Sequence, residues 1–241
     1  MSHTLIDASR TLSTEVSRLA FKNPVTHVYN PLEYAREPYE RYLERFATGA
    51  KRVVFVGMNP GPWGMAQTGV PFGEIETVSG WMGIRGSVEK PTREHPKRPI
   101  EGFACTRSEV SGRRLWGLMA ARFETAQQFF SDHFVANYCP LVFMEKSGRN
   151  RTPDKLPAAE REPLFRACDA ALAAFIAALS PAWVIGIGKF AESRVRRVIE
   201  SMDFSPPPQT ASVLHPSPAS PAANRGWEEA ALKRMKELGV W

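Results

Sequence analysis

Arg52-Val-Val-Phe-Val-Gly57 is a short run of β-branched and aromatic residues closed by a glycine, the pattern of a strand buried on both faces. Three further runs share it: Phe134–Asn137, Trp183–Gly188 and Ser212–Leu214. Around them, apolar residues at helical spacing predict helices over Gly112–Thr125, Ala158–Leu179 and Lys189–Met202, with a last one near Asn224–Leu238. Strands alternating with helices predict an α/β fold: three layers, αβα, around a central four-stranded, mainly parallel sheet. Upstream, Leu5, Ala8, Leu12, Val16 and Leu19 keep a helical spacing, Asn23–Pro31 breaks it, and Tyr39–Phe46 reads as a second helix. These are expected to form an N-terminal helical elaboration, about residues 1–50, on a single domain spanning 1–241. Arg85–Ser111 and Gly148–Pro157 read as long surface loops.

Composition narrows the chemistry. A hydrophobic fraction of 43% is ample for a buried core. The net charge of +6 makes a polyanion a plausible partner without specifying one. Cys105, Cys139 and Cys168 are widely spaced, form no CxxC pair, and cannot alone supply four thiolates to an iron–sulfur cluster. No secretory run and no span-length apolar stretch is present, so a cytoplasmic or nuclear protein is expected rather than a secreted or membrane one.

Ligands of open parallel sheets gather at the carboxyl ends of the strands. Asn59 lies just past the first run, Asn137 ends the second, and His215 follows the last. Asn59 belongs to Gly57-Met-Asn-Pro-Gly-Pro-Trp-Gly-Met-Ala-Gln-Thr-Gly-Val-Pro-Phe-Gly73. Read blandly, Asn59 caps a helix that starts at Pro60. The repeated glycines and prolines also fit a rigid backbone that approaches a ligand closely, with Phe72 as a pocket floor. His215 opens Leu214-His-Pro-Ser-Pro-Ala-Ser-Pro-Ala-Ala-Asn-Arg-Gly-Trp227, a loop stiffened by prolines. A lone histidine after a strand is often only structural, but no second histidine stands at metal-ligand spacing, so zinc is not expected. Gly186-Ile-Gly-Lys189 resembles a phosphate-binding loop only superficially: Trp183 stands where the first glycine should be, and Phe190 follows the lysine. A non-catalytic single-strand DNA-binding module would explain the charge and Phe72, but not the stiff histidine loop.

Five segments, in order, resemble the single-strand-selective monofunctional uracil-DNA glycosylases of the uracil-DNA glycosylase superfamily. They are Gly-Met-Asn-Pro-Gly-Pro at 57–62, Gly-Met-Ala-Gln-Thr-Gly-Val-Pro-Phe-Gly at 64–73, Asn-Tyr-Cys-Pro-Leu at 137–141, Val-Ile-Gly-Ile-Gly-Lys-Phe-Ala-Glu at 184–192 and His-Pro-Ser-Pro at 215–218. The resemblance spans about Lys51 to Trp241. It implies a uracil-DNA glycosylase-like fold and a monofunctional repair enzyme acting as a monomer on DNA that contains uracil or 5-substituted uracils, without a cofactor. Carried over by residue, it implies that Asn59 positions the attacking water and His215 stabilises charge on uracil O2. Phe72 stacks on the flipped base, Asn137 pairs with its N3 and O4 edge, and Met58, Gly61 and Met65 line the pocket. Contacts to DNA are expected from Lys189, Ser217, Pro218, Ala219, Ser220, Asn224 and Arg225, with Arg149 and Arg151 as further phosphate ligands. One departure stands out. Ala219 occupies a position where the family often carries arginine, in the segment that wedges into DNA.

Overall fold

The computed structural model describes residues 2–241; Met1, the first residue of the expected 1–241 domain, lies outside the described residues. In chain order the regular elements begin with helix α1 (Ser2–Ser17), strand β1 (Val25–Tyr29), α2 (Pro31–Tyr34) and α3 (Arg36–Phe46). Strand β2 (Val53–Gly57) and the short α4 (Met65–Thr68) follow, then α5 (Val110–Arg122), α6 (Ala126–Asp132) and β3 (His133–Asn137). Next come β4 (Val142–Glu145), β5 (Asn150–Arg151), α7 (Ala158–Leu179), β6 (Trp183–Ile187) and α8 (Lys189–Glu200). The chain closes with β7 (Gln209–Val213), α9 (Pro221–Asn224) and α10 (Trp227–Glu237).

The main sheet has four strands in the order β3-β2-β6-β7, every neighbouring pair parallel. All five residues of β2 are buried, as the uninterrupted apolar run requires. Register aligns Gly57 with Asn137 and Ile187 with Val213, so β2 and β3, like β6 and β7, end level with their partners. The loops that carry Asn59, Asn137 and His215 therefore leave along one edge. The pairing of β2 and β3 continues past the strand ends: Tyr138 N–H donates to the Gly57 carbonyl at 2.9 Å and Cys139 N–H to that of Met58 at 2.9 Å. This continuation is what brings the Asn59 and Asn137 loops side by side.

Helix α7 lays Leu164, Cys168, Leu172, Phe175, Ile176 and Leu179 into the core, a spacing close to 3.6 that turns one face inward. Helix α1 packs against α7 and α3, through buried Leu5, Leu12 and Val16. One contiguous apolar cluster runs from Leu5 to Val240 and includes the sheet strands. Each fully buried aliphatic side chain in it contributes about 1.5–3 kcal/mol. Among the described residues no helix is long and apolar enough to cross a membrane.

Several expectations need correction. Asn23–Pro31, read as a break, contains β1, and a second sheet of order β1-β4-β5 forms on antiparallel pairing such as Val28 with Phe143. The 148–157 loop contributes β5 to that sheet, pairing Arg151 with Phe143. The last strand of the main sheet begins three residues earlier than the expected Ser212, at Gln209. Helix α5 stops at Arg122, and Thr125 instead opens α6 with a capping box closed by Gln128. Two competing caps within four residues split what periodicity alone reads as one helix.

Candidate active site

Met58, Asn59, Gly61, Phe72, Asn137, His215, Ser217 and Pro218 line one cavity of about 460 Å³ at the carboxyl edge of the main sheet. Three stretches of chain supply them, at or just past the ends of β2, β3 and β7, with Phe72 farther along the first.

Asn59 donates its amide N–H to the Leu141 carbonyl at 3.2 Å and to the Pro60 carbonyl at 3.4 Å. Its Oδ1 accepts no hydrogen bond among the described residues, which leaves an acceptor for water. An amide does not take up a proton at neutral pH, so this group can orient a nucleophile but cannot deprotonate it.

Phe72 is buried and sits at φ 53°, a left-handed conformation costly for an aromatic residue. Its neighbours hold it there. Trp116 Nε1–H donates to the Pro71 carbonyl at 3.3 Å, and Gly73 N–H bonds back to Val70 at 2.8 Å. A Cβ at Gly57 would strike both the Phe72 ring and Asn137 Oδ1. Glycine at 57 is thus the condition for seating the aromatic floor and the amide beside each other.

Asn137 Nδ2 lies 3.2 Å from the Met65 sulfur, while Oδ1 is buried without a partner. An orphaned buried acceptor is costly, and at a cavity wall it is a demand for a donor from a ligand. Met65 itself is buried beneath Asn137 rather than in the wall of the main cavity, where sequence reasoning had placed it. It also lines a smaller void of about 30 Å³ that Asn137 borders as well.

His215 accepts a hydrogen bond at Nδ1 from Ser217 N–H, 3.1 Å away. That bond fixes the proton of the neutral ring on Nε2, the remaining donor. Burial pushes the imidazole down to about 4, so a neutral donor, not an imidazolium, is present at physiological pH. The ring stands 5.9 Å from that of Phe72, tilted by 42°.

The expected DNA-contacting residues divide. Pro218 and Ala219 form the exposed tip of the histidine loop. Ser217 Oγ accepts from Ala219 N–H at 3.1 Å, and Ser220 Oγ caps α9 through Ala223 N–H at 3.4 Å. Asn224 donates to the Pro218 carbonyl at 2.8 Å and accepts from Arg114 at 3.0 Å. These side chains are braces of the loop. Arg225 and Arg149 are exposed, whereas Lys189 is paired with Glu192 at 2.9 Å and Arg151 with Glu145 at 3.1 Å; none of the four lines the cavity.

Sequence reasoning missed four residues. Arg114, on α5, clamps the histidine loop by donating to the Pro216 carbonyl at 3.0 Å as well as to Asn224. Asn150 reaches the wall and donates to the Pro60 carbonyl at 3.3 Å. Trp63 stands at the rim with the guanidinium carbons of Arg107 and Arg98 at 4.6 and 5.2 Å from its ring centre. Glu109 also forms wall, from a segment whose polar composition suggests only solvent. The sole sequence signal for any of these was the aromatic at 63 inside the glycine-proline run.

A model of the uracil DNA glycosylase superfamily matches residues 44–237, and the chain belongs to that superfamily. Within it, the chain is 51% identical over 229 residues to the single-strand selective monofunctional uracil-DNA glycosylase of Rattus norvegicus, covering 95% of this chain and 82% of the relative. The Mus musculus protein of the same name is 50% identical over 229 residues, covering 95% and 81%. The crystal structure of wild-type Pedobacter heparinus SMUG2 superposes with a TM-score of 0.66 at 16% identity, over 97% of this chain and 99% of that one, a likeness of fold.

Proposed function

We propose that this chain, a uracil-DNA glycosylase by family, flips uracil and 5-substituted uracils such as 5-hydroxymethyluracil out of single- or double-stranded DNA. It then hydrolyses the N-glycosidic bond to leave an abasic site, acting as a monomer and without a lyase step. The observation that carries this reading is the convergence of Asn59, Phe72, Asn137 and His215 on one cavity.

A base stacked in a duplex is out of reach, and extruding it costs a few kcal/mol. Stacking on Phe72 returns roughly 1–3 kcal/mol without identifying the base. Identification falls to Asn137: its orphaned Oδ1 accepts uracil N3–H while Nδ2 donates to O4. Cytosine reverses both groups and leaves buried atoms unpaired, the condition for strong rejection.

As the glycosidic bond breaks, the sugar becomes cationic and the departing pyrimidine anionic. A neutral His215 whose Nε2–H points to O2 acts on charge that exists only as the bond breaks. Asn59 holds water for the cationic sugar through Oδ1. Because no group at Asn59 serves as a base, departure of the pyrimidine runs ahead of water attack. Neither position carries the lysine that a Schiff-base lyase requires, and Lys189 lies away from the cavity.

The test is to incubate the protein with a single-stranded oligonucleotide containing one uracil and to measure abasic sites and free uracil. Stoichiometric release of uracil with no strand scission is expected before alkali treatment. Tight binding without abasic sites would instead mark a single-strand DNA-binding module.

A further inference from the structure

Among the described residues, Glu109 is the one ionisable side chain of the cavity wall besides His215. It precedes α5 but makes no capping hydrogen bond to that helix. Its carboxyl lies against the main chain of the Asn59 loop: a Cβ at either Gly61 or Gly64 would land on a Glu109 oxygen. Oε2 is fully buried and has no hydrogen-bond partner among the described residues. Glycine at both positions is therefore the space that admits this carboxyl, and an unsatisfied buried carboxyl at a pocket wall calls for an account.

The perimeter of the base supplies one. Under the orientation proposed above, O2 faces His215 and the N3–O4 edge faces Asn137. The next position round a pyrimidine after O4 is C5. On the protein, Glu109 shares the cavity wall with Asn137 and His215, and its carboxyl packs on Gly61 of the Asn59 loop; with O2 and the N3–O4 edge assigned to those two side chains, C5 is the edge position left for it.

We propose that Glu109 is a specificity-determining residue of this pocket: its carboxyl stands at the C5 edge of the flipped base and hydrogen-bonds a hydroxyl carried there. The proposal rests on the base orientation given under Proposed function and adds a residue to it. Burial, reinforced by the neighbouring Glu74 carboxyl, pushes the Glu109 carboxyl up to about 7. A substantial share is thus the neutral acid at neutral pH, which both donates and accepts. A hydroxyl can do the same, so it satisfies the carboxyl in either direction. Plain uracil, with C–H at that position, leaves the carboxyl as it stands.

The test compares single-turnover release of uracil and 5-hydroxymethyluracil from the same single-stranded oligonucleotide by wild type, Glu109→Gln and Glu109→Leu. Glu109→Leu should lower the ratio of 5-hydroxymethyluracil to uracil release by roughly tenfold, the loss of one buried hydrogen bond. Glu109→Gln keeps a donor and an acceptor and should retain most of the ratio. Equal losses on both substrates in both variants would show a purely structural residue and overturn the proposal. A wild-type measurement removes dependence on how the variants fold: 5-hydroxymethyluracil should leave about tenfold faster than the similarly sized 5-ethyluracil. Equal rates there overturn the proposal. So does a wild type that releases uracil but not 5-hydroxymethyluracil, which leaves the glycosylase reading standing; release of neither base overturns both.

Discussion

The two loops that hold Asn59 and His215 do similar jobs by different means. The first, from Met58 to Gly73, is largely buried, and its shape comes from glycines: Gly57 at its entry lets Phe72 and Asn137 pack against bare main chain, and Gly61 and Gly64 admit Glu109. The second, from Leu214 to Trp227, crosses the surface and is held by side chains: Arg114 at Pro216 and Asn224, Asn224 at Pro218, and Trp227 Nε1–H at the Leu214 carbonyl, 2.6 Å away. One loop is rigid because little can move within it, the other because it is tied down. The first should tolerate almost no added atoms, whereas the second should fail by degrees as its ties are cut.

The comparison breaks at once if the two polar groups are not equivalent in chemistry. Asn59→Ala and His215→Ala should each reduce single-turnover release of uracil by at least about 10²-fold, typical of losing one group that serves the transition state. Affinity for uracil-containing DNA should change far less, since neither group is needed to stack or read the base. Measured rates at the wild-type level in either variant would remove that loop from the active site.

Acid should also separate the loops. Burial holds His215 and, deep in the core, His133 down to about 4, while an unfolded histidine titrates near 6.5. The unfolded chain therefore takes up these protons first. Stability from both groups is intact above about 6.5 and is lost as the pH falls toward 4, by up to roughly 3 kcal/mol each. Glu109 has the opposite sign: raised to about 7, its contribution is present below the ordinary glutamate value and is lost as the pH rises through 7. Urea unfolding between pH 4 and 6.5 should show stability rising with pH, and His215→Gln should flatten that slope. An unchanged slope in the variant would mean that the His215 ring titrates normally in the folded protein.

Much of the first loop was legible in the sequence, and less of the second. Buried parallel strands announce themselves as apolar runs, so the strand ends, and with them Asn59, Asn137 and His215, could be placed from periodicity alone. The small second sheet could not. Its strand β1 is five residues between Pro24 and Pro31, and its partner β4 lies more than a hundred residues away. Glu109 was hidden for a different reason. Its burial is produced by Gly61 and Gly64, some fifty residues earlier, and no local pattern reports such packing. Arg114 reads as an ordinary polar position of a helix until the histidine loop is laid over it. In each case the missing information was a long-range contact.

Cutting a tie of the second loop tests its half of the comparison. Arg114→Ala removes the donors to the Pro216 carbonyl and Asn224 Oδ1, at 3.0 Å each, without touching the cavity floor. The His215 ring then loses registration with the base, and small misplacements of a catalytic group carry large costs. A fall of about tenfold in kcat is expected with little change in KM. A rise in KM at constant kcat would instead assign Arg114 to DNA binding.

The smallest effect is expected at the tip, where Ala219 stands exposed beside Pro218. Ser217 Oγ holds the Ala219 N–H, so the turn is set and only the side chain is short. A methyl group fills the space of an extruded nucleotide poorly, and duplex opening then depends on how weak the target pair already is. Extrusion from a U·G mismatch costs less than from U·A, and a single strand costs least. Wild-type rates at fixed salt should therefore run single strand or U·G ahead of U·A. Ala219→Arg should raise U·A cleavage by about threefold or more, and single-strand cleavage by less, because a long cation can occupy the vacated stack. Salt has to be held constant, since one added phosphate contact tightens binding to any DNA at low ionic strength. A wedge acts only where there is a stack to fill. Equal gains on all three substrates would reduce the arginine to a phosphate contact and leave the tip without a role in opening the duplex.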